Sequence, residues 1–255
     1  MQKGKTKETI SQSSIDVAKL VIKEPLNDIG IFLDFCGNDI SAAIKELEGI
    51  TTEESRKHLQ KLVYINLIDR FDILIDRLIL WLVIHKPNLR NEVLKSVENE
   101  QISRQEVFEI FFMKDRSYDV IIEKIKDLTR NKTLRERHSK KLHKILTVCL
   151  CWKNIERPRV SQGGKIFKKT KKNNSQPNSI LGYADWLYSR RNSLVHGDGK
   201  SYNKLDYDYL CKQYKSNLSK SIRLQLASIT SAVNYYSDLL NEMREDFLKN
   251  SDYFE

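Results

Sequence analysis

The segment DWLYSRRNSLVHG, residues 185–197, gathers the side chains best suited to chemistry on a phosphate. Arg191 is followed directly by Asn192 and, after Ser193, Leu194 and Val195, by His196. A guanidinium grips phosphate oxygens in a fixed planar fork, and an imidazole titrates near neutral pH. On a regular helix Asn192 and His196 are four apart and share a face, whereas Arg191 and His196 stand about 140° apart. The long arginine side chain reaches the other two from the flank if the last turn loosens before Gly197. Arg191, Asn192 and His196 are therefore the candidate catalytic residues, and phosphoryl chemistry is what they suit.

Competing chemistries lack their motifs. The chain has no GxxxxGK[ST] phosphate loop, no GxGxxG, no HExxH and no GxSxG. GDGK at 197–200 lacks the leading glycine spacing and a preceding strand. Cys36, Cys149, Cys151 and Cys211 form no CxxC pair and have no histidine at zinc-finger spacing, so neither a structural zinc nor a disulfide framework is expected. Asp69, Asp72 and Asp76 line one helix face, but no Glu-x-x-His partner helix accompanies them, and a solvated or salt-bridged stripe is the expectation. Neither a metal nor a cofactor is predicted.

The elements that must hold the motif are helical. Only 9 Gly and 4 Pro punctuate 255 residues, too few for the turns of an all-β fold. Residues 1–14 read as a disordered polar tail and 15–52 as an N-terminal helical extension, with periodic stretches at 15–23 and 29–47. Thr52 is an N-cap candidate for one long helix over 53–85, a central bundle helix with a narrow polar side. Shorter helices are expected at 88–100, 104–113, 118–126 and 134–155. The stretch 156–179 contains two prolines, Gly163, Gly164 and KKTKKNNSQPNS, and reads as a mobile basic loop. A helix over 183–195 ends at HGDG. Leu218, Ile222, Leu226, Ile229, Val233, Tyr236, Leu240, Met243 and Phe247 then form an apolar seam that predicts a final helix packed into the same chain's bundle. The domain proper is 53–250, all-α.

Charge points to an anionic partner. With 44 Lys+Arg against 34 Asp+Glu the net charge is +10, concentrated in two blocks. Residues 124–144 hold nine basic and two acidic residues, and residues 153–172 hold eight and one. Lys165, Lys168, Lys169, Lys171 and Lys172 of the second block are candidate nucleic-acid contacts, of the kind that supply affinity without base specificity. Phe167 among them is placed to stack on a base. Arg137 and His143 in RERHSKKLH form a looser pair, read as part of a solvated basic face. The polar amino terminus has no signal-peptide pattern and the longest apolar run, residues 78–84, cannot span a bilayer, so a cytoplasmic protein without a membrane partner is expected.

RNSLVH, with Arg191, Asn192 and His196, resembles the Arg, polar residue, three residues, His motif of HEPN domains, the higher eukaryote and prokaryote nucleotide-binding superfamily. YADWLYSR before it and HG after it are similar to the bacterial members found in defence and toxin–antitoxin loci. The resemblance covers about residues 53–247 and implies a HEPN-like helical bundle with a long C-terminal helix. It further implies a metal-independent endoribonuclease, a toxin or anti-phage effector, working as a homodimer whose two motifs face one cleft. His196 would be general acid or base, Arg191 would hold the scissile phosphate, and Asn192 would orient imidazole or phosphate. The family also admits a five-residue gap, which makes Arg190 a second candidate for the RNA-contacting arginine. Arg191 is preferred because Asn192 then takes the polar position. An antitoxin or another defence-system protein would be a further partner. The alternative is a non-catalytic HEPN module that binds nucleic acid or nucleotide, or a scaffold.

Overall fold

The computed structural model describes residues 22–95, 117–169, 175–197, 199–215 and 217–249. The polar tail, the start of the N-terminal extension, the helix expected at 104–113, Lys171 and Lys172 lie outside these residues. What is described is mostly helical, in keeping with the all-α expectation. Among the described residues no helix is long and apolar enough to cross a membrane.

Helix α1 (Lys23–Asp34) continues through a π-helical turn (Phe35–Ile40) into α2 (Ser41–Glu48), passing both Gly30 and Gly37. Pro25 sits in the first turn of α1, where the missing N–H has no intrahelical partner to lose. The central helix α3 (Glu53–His85) has the predicted bounds. Extended Thr52 opens it, Glu53 and Glu54 complement its N-terminal dipole, and Pro87 forces Lys86 out of the helical region. At 33 residues α3 is about 50 Å long. Tyr64, Leu67, Ile68, Phe71, Ile75 and Ile79 are among the side chains it buries completely.

Around α3 pack α4 (Pro87–Lys95), α5 (Ser117–Lys132), the short α6 (His138–His143), α7 (Ile180–His196) and α9 (Leu226–Lys249), while α8 (Lys204–Tyr214) packs on α7. The segment 134–155 is not one helix: α6 passes into a π-helical turn (Lys144–Cys149), and the chain then breaks at Cys151 and Asn154, both with positive φ. The final helix begins at Leu226, not near 218. Leu218 and Ile222 are buried, but they lie on an irregular crossing segment that follows α8. The seam itself packs within the chain as expected. Tyr236 stacks on Phe71 with ring centroids 3.9 Å apart, and Phe247 meets Trp81 edge-on.

The basic loop is a packed structure over its described first half. Asn234 donates to the carbonyl of Gly163, Asp238 accepts from the Ile166 N–H, and Arg159 pairs with Glu242, so the loop is seated on α9. Gly164 has φ +79, and a Cβ there would lie 1.8 Å from the Ser231 carbonyl oxygen. Gly164→Ala should therefore cost more than about 1 kcal/mol, read as a lower melting temperature. A variant as stable as the wild type would mean that the loop does not sit on α9.

Candidate functional site

Helix α7 carries the motif. Ser179 caps it by accepting from the Gly182 N–H at 3.0 Å, and Gly197 ends it with its N–H on the Ser193 carbonyl. Most of the helix is buried, including Tyr183, Ala184, Leu187 and Leu194, so its register against α3 is tightly specified. Tyr64 of α3 donates to the Leu187 carbonyl at 3.1 Å, and one turn further along the interface Arg191 meets Asp69.

Arg191 Nε donates to Asp69 Oδ1 at 2.5 Å, and Nη1 donates to Asn192 Oδ1 at 3.1 Å. Its third nitrogen, Nη2, has no hydrogen bond among the described residues. Arg191 and Asn192 are thus held together, with Asp69 anchoring the guanidinium on the rigid central helix. His196, the last residue of α7, is exposed and has no hydrogen bond or ion pair with any described residue, Arg191 and Asn192 included. Helical spacing puts it on the Asn192 face.

Arg190 is placed elsewhere. It is 5% exposed, its Nη2 donates to the Arg223 carbonyl at 2.9 Å, and its guanidinium lies 4.7 Å from the Trp186 ring. The expectation that it touches RNA is corrected by this burial: Arg190 ties α7 to the segment before α9. Of the two adjacent arginines, Arg191 is the more exposed and the one held beside Asn192.

The basic blocks do not converge on the motif. Lys165, Lys168 and Lys169 are exposed, but the loop's Gln162 carbonyl accepts from Tyr183 near the start of α7. Thirteen residues separate Tyr183 from His196, about 20 Å along the axis. Phe167 is half-buried, with its backbone paired to Arg159. The other block is only in part a solvated face: Lys124, Arg130, Lys132, Arg135 and Lys140 are exposed, but Arg137 and Lys141 are turned into the bundle. Arg137 donates to Asp185, Ser189 and Asp206, and its guanidinium lies 3.6 Å from the Tyr209 ring. Buried Lys141 donates to Asp72 at 2.7 Å and to Asp76 at 2.5 Å, while His138, stacked on Tyr188, sits 2.9 Å from Asp72. Lys126, Arg130 and Lys144 are also ion-paired. Asp72 and Asp76 are accordingly the salt-bridged part of the α3 stripe, and no group of three or more metal-ligating side chains occurs among the described residues.

Arg137, expected on a solvated basic face, instead braces α7. Asp185, Ser189, Asn192 and His196 follow one another at spacings of four, three and four, which is one helix face. Arg137 holds the first two of these, roughly 10 Å along the axis from His196. Tyr214 completes the Asp185 site by donating at 2.8 Å, and burial first, then the carboxylate, pushes the phenol's pKa up. This network fixes the motif face without touching its exposed end.

Comparison with known proteins finds no matching family model, no matching curated protein and no matching solved structure.

Proposed function

We propose that this chain is a metal-independent endoribonuclease of the HEPN kind, a toxin or anti-phage effector acting as a homodimer on RNA. The observation that carries the reading is the end of α7. A guanidinium anchored by Asp69 keeps Nη2 open beside Asn192, and an exposed imidazole without a described partner stands one turn further on. In the reaction the 2′-hydroxyl attacks the adjacent phosphorus, the O2′–P bond forms and the P–O5′ bond breaks. His196 takes the hydroxyl proton or delivers one to the departing 5′-oxygen. Arg191 Nη2 binds a non-bridging oxygen and stabilises the charge that grows on it. Asn192 holds the guanidinium in position. The products carry a 2′,3′-cyclic phosphate and a 5′-hydroxyl, and the need for a 2′-hydroxyl restricts the substrate to RNA.

Arg191→Lys tests this division of labour. One ammonium cannot reproduce the fixed fork that meets Asp69, Asn192 and a phosphate together. Cleavage in EDTA should fall by about 10²- to 10³-fold. Full activity in Arg191→Lys would remove Arg191 from the mechanism, and cleavage abolished by EDTA in the wild type would exclude the metal-independent route.

A further inference from the structure

Beside the motif, on the other flank of α7, a cleft of about 860 Å³ lies between the N-terminal turns of α3, the turn after His196 and the segment leading into α9. Its size falls in the range of small-ligand and cofactor sites. Its wall combines two chemistries. Leu194, Ile222 and Leu224 supply an apolar floor. Among the described lining residues, Arg56, Lys57, Lys61, Lys200 and Arg223 supply cations and Glu53 one carboxylate. Arg56 and Lys57 share that carboxylate at 3.0 and 2.8 Å, which leaves the cleft strongly positive.

The cleft adjoins the site through one turn. Gly199 has φ +70, a conformation that favours glycine, and Lys61 Nζ is 3.7 Å from where its Cβ would be. Lys200 in the same turn is four residues from His196, at most about 14 Å along the chain. A strand whose scissile phosphate sits at His196 therefore enters the cleft within one or two nucleotides by crossing the end of α7. We infer that this cleft is the subsite for the RNA strand flanking the scissile phosphate, with the cations on phosphates and the apolar floor under ribose and base. This inference rests on the ribonuclease reading for the role of the bound strand, and it places the affinity at the cleft and not on the basic loop.

The experiment measures binding of a short fluorescein-labelled single-stranded RNA by the full chain carrying His196→Ala, so that no cleavage intervenes. Adding Lys61→Glu and Arg223→Glu should raise Kd by about tenfold or more and flatten the salt dependence by about 1.4 in log–log slope, two phosphate contacts at about 0.7 each. The loop pair Lys165→Glu and Lys168→Glu, an equal change of charge, should have the smaller effect. Melting curves establish that each variant folds. If the double glutamate variant does not fold, Lys61→Gln with Arg223→Gln gives the same comparison. An unchanged Kd, a loss carried by the loop pair, or displacement of RNA by polyglutamate equally well per charge would overturn the assignment. Failure of the two readings is distinguishable. Binding lost in the cleft variants of a protein that never cleaves RNA sinks the ribonuclease reading alone, and cleavage with cleft-independent binding sinks the cleft alone.

Discussion

Replacing His196 with alanine should lower RNA cleavage by about 10²- to 10⁴-fold, the usual worth of a positioned general acid or base. Stability should stay within about 0.5 kcal/mol of the wild type, as for surface substitutions away from structural contacts. Both halves follow from the same placement. The imidazole is exposed at the end of α7 and forms no hydrogen bond with a described residue, so its removal leaves no buried group without a partner. The helix keeps its Gly197 stop and its Asp69 anchor. A variant that loses activity together with several degrees of melting temperature would assign His196 a structural role. A variant that cleaves at the wild-type rate would remove it from the chemistry.

The largest expected effect on stability belongs to Lys141→Met. Lys141 is buried between Asp72 and Asp76, whose side chains are 25% and 31% exposed. Removing the ammonium leaves Asp76 without its ion pair and Asp72 with His138 alone, which costs about 3 kcal/mol, the low end for a buried pair because both carboxylates retain some water. For a chain of this size that is a fall of roughly 6 to 12 °C in melting temperature. Combining Lys141→Met with Asp72→Asn and Asp76→Asn should recover most of the loss, since removing the carboxylates together with the ammonium is far less costly than orphaning them, and the amide oxygen introduced at position 72 still accepts from His138. Failure of the triple variant to recover would mean that Lys141 stabilises by packing and not by charge.

The same cluster sets a pH dependence. Burial opposes the Asp72 charge, but His138 and Lys141 outweigh it and bring its pKa from the ordinary 3.8 to about 2. A depressed carboxyl stabilises the fold above 3.8, and that contribution is lost as pH falls towards 2. Asp76 is raised, by burial first and by Asp72, and opposes part of this loss. Burial also works against Lys141, yet Asp72 and Asp76 hold its pKa above the ordinary 10.5. Its contribution is therefore complete below 10.5 and lost as pH climbs beyond. Denaturation curves should show both losses in the wild type, and Lys141→Met should lack the alkaline one.

Local signals in the sequence were enough where an element depends on its own residues. Thr52 and Pro87 bracket α3, and Gly197 ends α7. The apolar seam found its partner surface in Phe71 and Trp81. Periodicity misled at 218–225, where Leu218 and Ile222 have helical spacing but are buried side chains of an irregular segment, because burial and helix produce the same pattern over two turns. Helix α8 was missed although its start was legible: Asn203 accepts from the Asp206 N–H at 2.9 Å, and the Asp206 carboxylate accepts from the Asn203 amide at 2.7 Å, a reciprocal cap three residues apart.

The site divides along the same line. Spacing was enough to put Asn192 and His196 on one face of α7, but the partners that fix or withdraw the cations are remote in sequence. Asp69 is 122 residues from Arg191, Asp72 is 69 from Lys141, and Arg223 is 33 from Arg190. Charge counted along the chain cannot distinguish a lysine facing water from one buried against two aspartates. For that reason Arg137 in the block at 124–144 read as part of a solvated basic face, whereas the cationic cleft, assembled from residues 53–61, 199–200 and 222–227, was not visible in any one stretch.

The central claim is chemical and is tested most directly by the ends of the products. RNA incubated in EDTA with the purified chain, and in parallel with His196→Ala, should be cut only by the former, and every new 3′ end should be a 2′,3′-cyclic phosphate opposite a 5′-hydroxyl. Intact RNA with the wild type, cutting by both proteins, or 5′-phosphate ends would contradict it.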